Sequence, residues 1–424
     1  MRPFHASSSS PRPAVTYWCR WLAQSAYEVH ADAAVVVTGG QIQAVGLGGA
    51  ARRYLQEATG PVVHVDGALA PGFVNSHAHL DLSALVGGVP ADAGFVPWVG
   101  ALLRARANAT EAALSAGARA GALALLASGT TTVGDIDTLG VTEGAAQASP
   151  QRIILFREVL DGGDPARGQE ALAALDAALA SCPRGAGPRA RGLSPHAPHT
   201  VSRATLRALG ARRGTRPVQV HWSETSEEVD WLTTGGGPFQ SLLGPPPRRT
   251  GLAQLASAGL LDGASLVHGN HPAEGEPALI AAARASVVHC PGTHAFFDRA
   301  PFPWSDYRRA GVNLALGTDS LASNGRLDMR AEVARAREAM PGVDPREFLD
   351  AATRGGALAL GLSDSIGILA PGFAADALEM DVPALRTCPK RRAALAWSES
   401  LAVDETPVRR VWIAGALAVE RASD

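Results

Sequence analysis

The chain is poor in charge, in aromatic side chains and in cysteine, and each shortage removes a class of function. Charged residues are 18% of the 424 and the formal net charge is −2. That balance leaves neither a basic surface for nucleic acid nor an acidic tail. Four cysteines, Cys19, Cys182, Cys290 and Cys388, stand far apart without a CxxC pair. Neither a disulfide framework nor a thiolate metal site is expected, and a reducing cytoplasm fits that usage. No run approaches the roughly 18 apolar residues that a membrane helix needs. Residues 1–13 hold four consecutive serines and three prolines but no apolar signal-peptide core, and read as a disordered tail. The expected partner is a small molecule, with no nucleic acid and no membrane; assembly into a homo-oligomer stays open.

What the chain has in plenty is apolar residues, 46% of the total, in short runs. Eight such runs, at 69–76, 130–136, 152–160, 191–195, 218–222, 264–267, 286–290 and 313–317, read as strands. Most are separated by Ala/Leu/Arg/Glu-rich segments with helical spacing, among them 111–127, 169–180, 204–212, 252–258, 329–340 and 345–362. That alternation is the βα pattern, and eight strands suffice to close a parallel barrel. The expected fold is therefore α/β, a (β/α)8 TIM-like barrel over residues 69–364. Residues 14–68 and 365–424 are richer in valine, alternation and glycine turns. Neither end is long enough to bury its own core, so the two are expected to meet in one small β-sandwich.

His77 and His79 close the first run. In extended chain, residues i and i+2 point to the same side, so both imidazoles can reach one metal ion. His221, His268 and Asp319 end or follow other strands of the series. Barrel enzymes place their active sites at those carboxyl ends. A set of neutral imidazoles and one carboxylate with room for water is what a hydrolytic zinc site requires. Any one of these histidines alone reads more readily as a satisfied core or loop group; the set does not.

The segments Pro71-Gly72-Phe73-Val74-Asn75-Ser76-His77-Ala78-His79-Leu80, His221-Trp222-Ser223-Glu224, His268, His289-Cys290-Pro291 and Gly317-Thr318-Asp319-Ser320-Leu321-Ala322-Ser323-Asn324 together resemble the amidohydrolase superfamily. Within it they resemble the nucleobase-deaminase and chlorohydrolase branch, which includes guanine, cytosine, S-adenosylhomocysteine and aminodeoxyfutalosine deaminases. Residues 366–376 resemble that family's return into the second half of its split β domain. The resemblance implies one divalent metal ion on His77, His79, His221 and Asp319, zinc first, with iron or manganese suited to the same donors. It implies Glu224 as the proton carrier, His268 as the group orienting the attacking water, and Asp319 as a further acceptor of its proton. Two-metal relatives bridge their ions through a barrel lysine or glutamate. The single lysine here, Lys390, lies in the C-terminal segment, so a mononuclear site is expected.

Further residues are candidates for substrate contacts. His196 resembles the family's fourth-strand substrate histidine; His199 stands where tyrosine is common, and His294 where asparagine is. Arg157 and Glu158 end the third strand and are candidates for binding a carboxylate or ribose hydroxyls, with a mutual ion pair as the alternative. For Glu224 the alternative is a helix N-terminal charge beside Glu227 and Glu228. The expected reaction is hydrolytic loss of an exocyclic amine from an adenine-type nucleoside, of the aminodeoxyfutalosine kind that serves menaquinone biosynthesis. Guanine deamination, formimino or imidazolone C–N hydrolysis, and a non-catalytic barrel that only binds remain alternatives, because one metal site serves several reactions.

Overall fold

The computed structural model describes residues 14–89, 94–180, 191–241, 243, 245–403 and 405–421. The expected tail at 1–13, with His5, and Cys182 lie outside the described residues. Both chain ends contribute to one seven-stranded sheet. Its strands are β1 (Val15–Ala23), β2 (Val29–Thr38), β3 (Gln41–Leu47) and β4 (Val62–Pro71) from the N-terminal side. Eight further strands intervene: β5 (Phe73–Ala78), β6 (Thr130–Asp137), β7 (Arg152–Val159), β8 (Arg191–Pro195), β9 (Gln219–Trp222), β10 (Ser265–His268), β11 (Ser286–His289) and β12 (Asn313–Leu316). The first sheet is completed by β13 (Ala377–Met380), β14 (Val408–Ile413) and β15 (Ala416–Glu420).

The end sheet runs β15-β14-β13-β4-β1-β2-β3 as one continuous ladder. The sequence suggested a sandwich; the ends do meet, through β4 against β13, in a single hydrogen-bonded sheet. Its core is Tyr17, Val35, Ile42, Leu69 and Trp412, so each end covers apolar surface that the other exposes. The end segments are not wholly strand: helices Gly49–Gln56 and Ala393–Ser400 lie within them.

The middle of the chain forms two four-stranded parallel sheets, β5-β6-β7-β8 and β9-β10-β11-β12. Single bridges span the two seams between them, Leu193 to Val218 and Ala78 to Asp319. The second seam is reinforced where Asn75 donates to Thr318 Oγ1 at 2.7 Å and accepts from its N–H at 3.1 Å. Gly317 permits the approach, since a Cβ there would meet His77 Cβ at 2.8 Å.

The apolar run at 69–76 is not one strand. Its first half ends β4 in the end sheet and its second half begins β5, and the switch falls at Gly72. There the chain donates to Asp376 on one side, while the next residue, Phe73, donates to Gly129 on the other. A Cβ at position 72 would sit 2.3 Å from Thr131, so only glycine fits. The pattern at 345–362 likewise divides, into helices Pro345–Ala351 and Arg354–Ala359. Helix Glu111–Ala127 lies where its spacing placed it, started by Thr110, whose hydroxyl accepts from the N–H of Ala113. Helix Phe95–Asn108 had no counterpart in the sequence reading.

Candidate active site

The carboxyl ends of the parallel strands bring His77, His79, His221, His268 and Asp319 into one cluster. His77 lies in β5 and His79 just beyond its end. The strand period turns the two imidazoles to a common side, with ring centres 4.9 Å apart. His79 Nε2 is 3.2 Å from His221 Nε2, and Asp319 Oδ1 lies 3.5 Å from His77 Nε2 and 3.7 Å from His79 Nε2. His268 completes a second triad with His77 and His221. His268 and Asp319 both have positive φ, 74° and 56°, a sparsely populated conformation for residues with a Cβ. The backbone is held there by pairings such as Asp319 N–H to His77 O at 3.0 Å.

The outer ring nitrogens are held from behind. His77 Nδ1 lies 2.7 Å from Gln219 Oε1, and Gln219 donates its amide to Ser76 O. His221 Nδ1 lies 2.9 Å from the carbonyl of His196. Both contacts require an N–H on Nδ1, which leaves the Nε2 lone pairs facing inward. Gln219 was missed in the sequence, although its position two residues before His221 on the same strand face was a signal.

The charges are consistent with the same use. Burial lowers His79 well below the usual histidine range, aided by His77, and burial does the same for His268 despite Asp319. Burial opposes the charge of Asp319, but contact with His77 and the fields of His268 and His79 hold its carboxyl well below the ordinary value. Neutral imidazoles around an ionised carboxylate are a divalent-cation donor set. His77 Nε2 is buried with no hydrogen-bond partner, an orphan that a cation between these groups satisfies.

Glu224 stands at the edge of the cluster, just past β9, with Oε2 3.6 Å from His268 Nε2. Its backbone is pinned. The N–H groups of Ser223 and Glu224 donate to Glu228 at 3.0 and 2.9 Å. Thr225 caps the helix Ser226–Thr234, accepting from the N–H of Glu228. Glu228, one of the acidic neighbours that made Glu224 ambiguous, thus shapes the turn that presents it.

The cluster floors a cavity of about 440 Å³ lined by His79, His221, Glu224, His268 and Asp319. Glu158, His196 and His199 stand on its wall. Glu158 Oε2 accepts from Thr138 at 2.6 Å while its Oε1 is buried and unpartnered. Burial pushes His196 down to about 4 against the pull of Glu158, and Thr200 Oγ1 lies 2.7 Å from its Nδ1. His199 Nδ1 lies 3.6 Å from Glu228. The mouth is apolar, formed by Phe95, Trp98, Val99, Leu102 and Leu103 of the unforeseen helix with Leu139, Leu160, Phe239 and Phe297.

Two expected substrate residues are elsewhere. Arg157 precedes Glu158 on β7, and neighbours on a strand face opposite ways. Its guanidinium lies against Asp137, 3.6 Å away, and lines a separate polar cleft with Glu143 and Arg191. The two residues are therefore not an ion pair with each other. His294 does not line the cavity: its Nε2 lies 2.8 Å from Ala300 O and its Nδ1 3.2 Å from Asn270 Oδ1. The arginine that does line the cavity is Arg106, paired with Asp81 at 2.6 Å.

Residues 68–417 match the amidohydrolase family model. The chain belongs to the amidohydrolase family. It falls in the deaminase branch of these hydrolases, which act on carbon–nitrogen bonds. An aminodeoxyfutalosine deaminase of Deinococcus radiodurans is 34% identical over 347 residues, covering 77% of this chain and 81% of its own. A 5-methylthioadenosine/S-adenosylhomocysteine deaminase of Pelotomaculum thermopropionicum is 29% identical over 382 residues, 85% of this chain and 83% of its own. Among solved structures, an adenosine deaminase from Xanthomonas campestris with bound zinc superposes with a TM-score of 0.78 at 28% identity, over 96% of this chain and 93% of its own. Among the described residues, no helix of this amidohydrolase is long and apolar enough to cross a membrane.

Proposed function

We propose that this amidohydrolase is a metal-dependent deaminase that removes the exocyclic amine of an adenine-type nucleoside. The observation that carries the reading is the carboxylate of Glu224 beside His268, at the edge of a buried imidazole and carboxylate cluster inside one cavity. His77, His79, His221 and Asp319 would hold a single divalent ion, zinc before iron or manganese. When bound, such an ion supplies a water acidified toward neutral pH. Glu224 would carry a proton from the attacking water to a ring nitrogen, which makes the amine-bearing carbon more electrophilic. The water oxygen would add to that carbon; its second proton would pass to the amine, and the carbon–nitrogen bond would break to leave ammonia and a ring carbonyl. His268 would orient the water for attack, and Asp319 would accept its remaining proton.

The nucleoside part of the reading rests on room and lining. A cavity of about 440 Å³ exceeds what a bare base fills. Glu158, His196 and His199 offer hydrogen bonds to ribose hydroxyls, and leaving them unmet costs affinity. Beyond them the apolar mouth suits a substituent on the ribose, as in the substrates for which the relatives are named. Arg157 drops out as an anchor for a carboxylate, so a carboxylated substituent would have to share Arg106 with Asp81. On this reading the two parallel sheets are halves of one barrel, the chain ends form its accessory β domain, and the enzyme works in the cytoplasm on the aminodeoxyfutalosine step of menaquinone biosynthesis.

The test is ammonia release by zinc-loaded protein over aminodeoxyfutalosine, 5′-methylthioadenosine, adenosine, adenine, guanine and formimino compounds. The expected order places a ribose-substituted adenine nucleoside first. A free base preferred by about tenfold in kcat/KM overturns the nucleoside reading, and ammonia from none of them overturns the deaminase reading.

A further inference from the structure

Arg299 lies on the far side of Glu224 from the His/Asp cluster, and its surroundings are unusual for an arginine. Its Nη2 donates to Glu224 Oε1 at 2.8 Å. The guanidinium packs against two aromatic rings that touch each other, 5.4 Å from the centre of Phe95 and 4.9 Å from that of Phe297. The side chain is 9% exposed, and its Nη1 is buried without a hydrogen-bond partner. An arginine serving only the fold gains most by engaging its whole fork, often in a two-point contact with a carboxylate. Here one amino group is spent on a single oxygen of Glu224 and the rest of the charge lies against a touching pair of aromatic rings.

The loop bearing Arg299 is itself braced toward Glu224. His294 holds it through Ala300 O, and the backbone N–H of Arg299 donates to His294 O at 3.2 Å. Asn270 faces His294 with its amide oxygen and donates its NH2 to the backbone carbonyl of Glu224 at 2.9 Å. His294, read from the sequence as a substrate contact, is therefore part of this brace. Phe95 opens the helix Phe95–Asn108 that walls the cavity mouth, so the same guanidinium touches the mouth and the proton carrier at once.

We infer that Arg299 is a positioning residue for Glu224: it holds Oε1, so that Oε2 is the oxygen presented to His268 and the reacting atoms, and its seat against Phe95 and Phe297 ties that placement to the mouth helix. The inference rests on the deaminase reading above. A carboxylate free to rotate loses the orientation on which proton transfer depends, and misplacement by about 1 Å can cost on the order of 10² in rate. Substrate contacts are left intact, because Arg299 does not line the catalytic cavity; it faces a separate outer cleft that shares Glu224, Phe95 and Phe297 with that cavity.

The test is a double-mutant cycle on the zinc-loaded enzyme, using whichever nucleoside of the panel is turned over fastest. Arg299→Met is expected to lower kcat by about 10- to 100-fold with KM changed by less than about threefold. Arg299→Lys, which keeps a donor, is expected to recover part of the loss, and millimolar methylguanidinium is expected to recover part of it in the Met variant. In a Glu224→Gln background the Arg299→Met change is expected to cost less than about threefold, because the group it positions no longer carries protons. An equal loss in both backgrounds, or no loss in either, overturns the inference while leaving the deaminase reading standing; so does a loss in the Met variant accompanied by metal release or a matching fall in the Lys variant. Absence of ammonia release by the parent enzyme fails the deaminase reading instead, which the substrate panel detects beforehand.

Discussion

On the floor of the cavity each functional side chain leaves a strand end within three residues, whereas at its mouth the side chains come from one helix and several loops. His77, His79, His221, His268 and Asp319 are placed by parallel ladders and by single bridges at the seams, so their spacing follows from register. The mouth residues Phe95, Trp98 and Phe297 are placed by packing on one another, with ring centres 5.1 Å apart for Trp98 and Phe297 and 5.4 Å for Phe95 and Phe297. Hydrogen-bonded register fixes positions closely, while apolar contact is non-directional and tolerates substitution of similar volume. The floor therefore suits chemistry that fails when atoms shift, and the mouth suits discrimination by shape.

If that division holds, the largest losses come from the floor. His221→Ala is expected to abolish metal retention and bring turnover to background together. Elemental analysis that finds the ion retained in that variant removes His221 from the ligand set, and about two ions per parent chain overturns the mononuclear site. Next comes Glu224→Gln, which keeps the side-chain shape but cannot carry a proton. Turnover is expected to fall by about 10² to 10⁴ with metal content unchanged, and near-parental turnover would assign the proton to another group.

The cavity wall is also expected to make the metal-free protein acid-labile. Burial holds His196 down to about 4 in the fold, whereas an unfolded histidine titrates near about 6.5. Between those values the unfolded chain binds a proton that the folded chain refuses, so stability is present above about pH 6.5 and falls as pH drops toward 4. Thermal midpoints measured across that window are expected to fall with pH, and His196→Gln is expected to make the slope shallower. An unchanged slope in that variant shows that His196 is not neutral in the fold.

Smaller effects belong to the mouth. Leu103 lines the cavity yet is 55% exposed, so Leu103→Asp adds a charge without opening the core. It is expected to lower kcat/KM by up to about tenfold for nucleosides with an apolar ribose substituent, and to leave adenosine nearly unchanged. Equal losses on both substrates would mean that the mouth does not sort them. The smallest effect is expected from Arg157→Met: selectivity between carboxylated and neutral nucleosides stays within about twofold, since Arg157 faces the cleft with Asp137 and Arg191. A clear change in selectivity would bring Arg157 back to the substrate.

Much of the floor was legible because strands carry a two-residue period and end where barrel chemistry gathers. The His77 and His79 pair, the Glu224 position and the βα alternation are all local patterns. The break at Gly72 was not legible, because an apolar run says nothing about which sheet each half joins; only the contact with Thr131 shows that no side chain fits there. Arg157 and Glu158 were read together as substrate candidates, with a mutual ion pair as the alternative; adjacent strand residues face opposite sides, and of the two Glu158 lines the cavity while Arg157 lines another cleft. The helix Phe95–Asn108 was not read from the sequence, and a weak period does not explain it, since helix Glu111–Ala127 was read on a period no stronger.

The sequence by itself determined the residue types of the histidine and aspartate cluster, their order along the chain and the class of reaction, since donor chemistry and short-range periodicity are properties of a few consecutive residues. Only the tertiary structure decided which neighbours hold those groups: Gln219 behind His77, Glu228 beneath the Glu224 turn, Arg299 on its carboxylate and an apolar wall over the mouth. Those contacts join segments far apart in the chain, 75 residues for Arg299 and Glu224 and 142 for Gln219 and His77. Long-range pairing of that kind is settled by how the elements pack, and no local pattern encodes it.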